Sequence, residues 1–103
     1  MLENFKLKKS LEKLERYAED GEFDILGRDE PVFEDNDCYM NRISIQLNHN
    51  SSQVHKEVIG VYWNKGRLKK KLEKKAVKRV EYMKETVSKK FSCDPEVDLM
   101  LDN

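Results

Sequence analysis

The sequence is poor in the residues that mark small secreted, membrane or cofactor-bound proteins. It has two cysteines, Cys38 and Cys93, widely separated in a chain of 103 residues. Two are too few for a disulfide framework, and their placement matches no metal motif. They are expected as free thiols. The four glycines, Gly21, Gly27, Gly60 and Gly66, form neither a phosphate loop nor a dinucleotide fingerprint. With two prolines and no repeat or low-complexity linker, the length predicts a single domain over 1–103. No apolar run approaches a membrane span, and Met1–Leu11 is charged throughout where a signal peptide has an apolar centre. A soluble, cytoplasmic protein is expected, without a membrane partner. Hydrophobic residues make up 38% and charged residues 39%. That supports one modest core and excludes a two-domain cleft enzyme.

Net charge is also absent: 20 basic residues balance 20 acidic ones. A freely acting polyanion binder is usually basic overall. The balance hides a segregation. Residues 19–37 hold nine carboxylates against Arg28, and residues 65–79 hold nine cations against Glu73. Opposed blocks within one chain predict either an interaction surface or internal neutralisation.

Periodicity organises the rest. Leu7, Leu11, Leu14 and Ala18 predict a helix over 4–19, with Asn4 as its cap and Gly21 after its end. Residues 21–38, broken by Gly27, Pro31 and an acidic run, read as an acidic loop with one short edge strand. Tyr39, Asn41, Ile43, Ile45 and Leu47 alternate with polar neighbours, so 39–48 is a strand with one buried face. Asn48–Ser52 is turn chemistry, and 53–63 is a second hairpin strand whose apolar Val58–Trp63 run predicts a central position. Gly60 in that run predicts a bulge or a close helix contact.

Leu68, Leu72, Ala76, Val80, Met83, Val87 and Phe91 form one apolar stripe of a helix over 67–91. Residues 94–103 are an acidic tail, free to fray or to dock through Val97, Leu99 and Met100. The fold class is α+β: a short antiparallel sheet of two to three strands packed against an N-terminal and a long C-terminal helix.

The candidate binding residues are Lys65, Arg67, Lys70, Lys71, Lys74 and Lys78. Arg67, Lys71, Lys74 and Lys78 share one outer ridge of the long helix, opposite the apolar stripe. Like-charged pairs four apart, such as Lys70/Lys74 and Lys74/Lys78, each cost up to about 0.5 kcal/mol. The cluster also begins at the helix N-terminus, where the macrodipole favours negative charge. An anionic partner relieves both costs. It is the chain's own 19–37 segment, nucleic-acid phosphate, or a surface of another protein.

Other constellations carry less chemistry. His49, His55 and Cys38 have no metal spacing, and nothing orients a Cys–His nucleophile pair. Glu34, Asp35 and Asp37 resemble part of a calcium loop but lack its glycine and distal glutamate. Tyr62 and Trp63 precede Gly66–Arg67, and aromatics beside cations can stack on unpaired bases. Strand alternation turns one of the two into the core, with Trp63 the default. No cofactor, metal, catalytic residue or small-molecule substrate is expected.

In size and in opposed blocks such as Glu34-Asp35-Asn36-Asp37 and Lys69-Lys70-Lys71, the chain resembles the small lysine- and glutamate-rich proteins of phages and mobile elements. Inhibitors such as anti-CRISPR proteins are among them. The resemblance implies a non-enzymatic interaction protein acting on a larger host protein or nucleoprotein. The alternative is a small nucleic-acid-binding regulator using the basic helix.

Overall fold

The computed structural model describes residues 2–17, 21–35, 38–64 and 66–101, without the side chains of residues 2, 3, 35 and 38. The element order is α1 (Leu2–Tyr17), β1 (Phe23–Asp35), β2 (Cys38–His49), β3 (Ser52–Trp63), α2 (Leu68–Phe91) and β4 (Glu96–Met100). The fold is α+β, with four strands among the described residues in the order β3-β2-β1-β4. The β1–β2 and β2–β3 pairs are antiparallel and β1–β4 is parallel. The sheet is therefore mixed, not the antiparallel sheet of two to three strands expected from the sequence.

Three differences from that expectation have physical causes. First, residues 23–35 are a full interior strand rather than an acidic loop. Pro31 does not end it, because a register shift between Pro31 and Phe33 bulges the strand there, and prolines are tolerated at bulges. Gly27 does not end it either. It faces β4 so closely that a Cβ would lie 2.6 Å from a Leu99 methyl. Second, the acidic tail supplies β4 at 96–100, anchored by Leu101, which is 4% exposed. Residues 102 and 103 lie outside the described residues. Third, β3 is an edge strand, not a central one. Its apolar run is shared between two faces, with Tyr62 buried and Val58, Val61 and Trp63 about half exposed.

The helices match their periodicity with small shifts. α1 begins at Leu2, so Asn4 lies within the first turn and does not cap it. The expected extension of α1 to residue 19 lies outside the described residues. In α2, Leu72, Ala76, Val80, Met83 and Val87 are buried, while Leu68 is exposed. The inward residues Phe23, Ile25, Ile43, Ile45, Leu47 and Tyr62 meet Leu7, Leu11, Leu14 and the α2 stripe in one core. Each buried aliphatic side chain contributes about 1.5–3 kcal/mol. Gly60 lets α2 approach: a Cβ there would lie 2.5 Å from a Leu72 methyl. The neighbouring register shift is the bulge that this glycine in an apolar run predicted.

Both helices lie on one sheet face, because their partners on the sheet, His55, Glu57, Gly60 and Asp29, all project to that side. The β2–β3 turn has positive φ at Asn50 and Ser51, the signature of a two-residue type I′ hairpin. Asn50 also accepts a hydrogen bond from the Glu22 amide at 2.9 Å, tying the turn to the start of β1.

Candidate functional site

The first half of α2 is the strongest feature of charge in the molecule. Helical spacing sets Arg67, Lys71, Lys74 and Lys78 along one exposed ridge, with Lys70 and Lys75 beside it. Among the described residues, none of these six cations has a carboxylate within ion-pair distance. The helix start adds to this. Arg67 occupies the cap position with no side-chain hydrogen bond, and the first turn holds no acidic residue. Amide donors thus face outward beside cations, and both favour an anion there. Lys65, the remaining cation of the expected set, lies outside the described residues.

The ridge borders a groove of about 500 Å³ that combines Leu68 and Leu72 with Lys71, Lys74, Lys75 and Lys78. The groove is chemically mixed, suited to a partner that presents negative charge over apolar surface. A second groove of about 550 Å³ between α1 and α2 is lined by Phe5, Leu11 and Tyr82 among others. Two of its lysines are already used: Lys89 pairs with Glu85 at 2.9 Å and Lys90 with Glu15 at 3.3 Å.

The described part of the acidic segment does not neutralise the ridge. Within its described part, Asp29 alone reaches α2, at 3.7 Å from Lys69. Asp29 is buried and also accepts hydrogen bonds from Tyr62 Oη at 2.6 Å and Asn41 Nδ2 at 3.2 Å. Burial, and then this bond to Asp29, push the Tyr62 phenol above its ordinary range. Glu30 turns to the other face and accepts from Arg42 at 2.9 Å, which holds its carboxyl below the usual value. The first turn of α2 is thus moored through Lys69, and the cations of the ridge have no ion-pair partner among the described residues.

Sequence reasoning missed a buried polar chain beneath the helices. Arg79 forks onto Glu57, with Nε donating to Oε2 at 2.6 Å and Nη2 to Oε1, and Nη1 donates to Asn4 Oδ1. His55 Nε2 donates to Glu57 Oε1 at 2.9 Å, and His55 Nδ1 lies 3.1 Å from Ser10 Oγ. Burial opposes the charge on Glu57, but the hydrogen bonds from His55 and Arg79 prevail and hold its carboxyl down to about 2. The signal was the inward phase of His55 and Glu57 on an alternating strand, where charged groups occur only with partners.

The Ser10–His55–Glu57 order invites comparison with a hydrolytic relay, but the setting differs. Ser10 sits in mid-helix, where the backbone amides are committed to the helix and are not available to an oxyanion. The Ser10 hydroxyl also meets the Lys6 carbonyl at 3.1 Å. The chain joins α1, β3 and α2 as a structural interlock. Elsewhere, burial and then Asp94 push the Cys93 thiol up, away from a reactive thiolate. The Cys38 side chain and Asp35–Asp37, named above as possible metal or nucleophile groups, lie outside the described side chains. Among the described residues, no three His, Cys, Asp or Glu groups gather to hold a metal ion, and no helix is long and apolar enough to cross a membrane.

The aromatic pair corrects the expected assignment. Tyr62 is the core residue, and Trp63 is 48% exposed. No family model, curated protein or solved structure matches the chain.

Proposed function

We infer that this chain is a non-enzymatic interaction protein that docks the α2 ridge onto an anionic surface of a larger protein or nucleoprotein. An inhibitor or accessory factor of a phage or mobile element is the concrete form of this reading, acting by stoichiometric binding in the cytoplasm. The observation that carries it is that Arg67, Lys70, Lys71, Lys74 and Lys78 have no ion-pair partner among the described residues, and that the described part of the acidic segment reaches α2 at Lys69. Like-charged neighbours raise the energy of the free helix, and an opposing anionic surface recovers that energy on binding.

The test is capture of partners from the source cell by the wild-type protein and by a Lys71→Glu/Lys74→Glu variant. Both positions are exposed, so the variant folds as the wild type does. It is expected to lose the partner. Equal capture by the two proteins rejects the ridge as the contact surface.

Direct nucleic-acid binding is the second reading, favoured by the uncapped helix start beside the cations. Neutralising about four phosphates of duplex DNA predicts a log–log salt slope near −3.6. The absence of binding to any nucleic acid at low salt rejects this second reading and leaves the first in place.

A further inference from the structure

The outward face of the sheet carries an aromatic platform that the ridge does not account for. Phe33 pairs with Met40 across β1–β2, and Met40 pairs with Trp63 across β2–β3. The three side chains therefore form one rank on the face opposite the helices. Phe33 and Trp63 are 50% and 48% exposed, and their rings meet edge to face at 6.4 Å and 88°. About half of each residue's surface remains in contact with solvent.

The platform is fixed in place. Tyr62 is pinned inward by its bond to Asp29, and strand alternation then turns Trp63 outward. The next residue is clamped to β2: the Asn64 amide donates to the Tyr39 carbonyl at 2.9 Å, and Asn64 Oδ1 accepts from the Tyr39 amide at 3.1 Å. The chain then turns tightly, with the Gly66 amide donating to the Trp63 carbonyl at 2.8 Å. Arg67 and the open start of α2 follow at once. A half-exposed indole packed edge to face on Phe33 thus stands four residues before Arg67, which has no ion-pair partner among the described residues, and before a helix start with no side-chain cap.

Single-stranded nucleic acid is the ligand class that uses all of these features together, with bases on aromatic faces and phosphates on adjacent cations. We propose that an unpaired nucleotide stacks on Trp63 while its flanking phosphate sits on Arg67 and Lys70 at the start of α2. This rests on the nucleic-acid reading and narrows it to a single strand, or to the unpaired end of a duplex. A base inside a duplex is stacked on its neighbours and cannot use the platform.

Trp63 is the sole tryptophan, so its intrinsic emission reports on this site without a label. The wild-type protein is titrated at low salt with an oligothymidylate and with a blunt duplex of equal length. The oligothymidylate is expected to quench Trp63 emission, and the duplex is not. Trp63→Ala should weaken oligothymidylate binding roughly 5- to 150-fold, the range for loss of one stacked base. Trp63→Phe should recover most of that loss. Circular dichroism checks the fold of both variants, and quenching of the wild type needs no variant.

Suppose instead that the oligothymidylate binds and Lys71→Glu/Lys74→Glu abolishes this, while Trp63 emission and Trp63→Ala affinity stay unchanged. The platform is then overturned and the ridge reading survives. If the duplex binds and the oligothymidylate does not, the platform falls alone; if neither binds at low salt, the platform and the nucleic-acid reading fall together. Quenching by a captured protein in that case would make the aromatic rank a protein contact.

Discussion

The two halves of α2 differ both in charge and in electrostatic fate: residues 68–79 hold seven cations against Glu73, and residues 80–91 hold three against Glu81 and Glu85. In the second half and at its boundary, Arg79, Lys89 and Lys90 each meet a carboxylate from β3, α2 itself or α1. In the first half, the exposed cations of the ridge have no such partner among the described residues. The excess of cations in the first half is one part of the contrast, and the placement of acids is the other. The fold brings acids to Arg79, Lys89 and Lys90 at one end and to Lys69 at the other, and among the described residues none to the ridge between them. The first half retains the repulsion and remains the part of the molecule with most to gain from an anion.

The contrast can be broken most forcefully at its boundary. Arg79→Met leaves Glu57 charged, buried and short of its fork, and should destabilise the fold by about 3 kcal/mol or more in chemical denaturation. That is a large share of the roughly 5–15 kcal/mol of a domain. Equal stability would mean that the buried chain does not couple the helices to β3.

Acid should act on the same pair. The Glu57 carboxyl is held at about 2 in the folded protein against an ordinary 4.5. Its stabilising contribution is then complete above about pH 4.5 and is lost as pH falls toward 2. Glu57→Gln should flatten the stability profile across that window, measured by denaturant midpoints at each pH.

The smallest effects carry the sharpest comparison, because their signs differ. Glu85→Gln in the paired half should cost a few tenths of a kcal/mol. Lys74→Gln in the open half should gain about as much, since it relieves contacts with Lys70 and Lys78. Equal signs in thermal unfolding would erase the distinction between the halves.

Much of this architecture was legible in the sequence. The stripes of α1 and α2 and the alternation of Ile43, Ile45 and Leu47 report one buried face directly, and those elements stand near their expected bounds. β1 was hidden because its inward positions pass from Phe23 and Ile25 to Gly27 and Asp29. The first of these makes room for Leu99, and the second receives the Tyr62 hydroxyl. Both needs arise from elements far along the chain. β4 did alternate, at Val97, Leu99 and Leu101, but acidic neighbours and a short length masked it. The ridge was legible because one helix contains all of it. The Arg79–Glu57–His55–Ser10 chain was not, because three elements must meet to form it. Trp63 was misassigned because alternation fixes only the relative phase of neighbours, and the buried Asp29 decides which of the two points inward.

The parallel pairing of β4 with β1 has a consequence for the order of assembly. Its partners, such as Ile25 with Val97, are separated by most of the chain. β1 can zip to β2 as soon as the hairpin is complete, but its other edge is covered only by residues 96–100. Without β4, that edge of β1 is an open border beside Gly27. Closing that border is slow in the way distant contacts are slow, and until then it is the place where a wrong strand can enter.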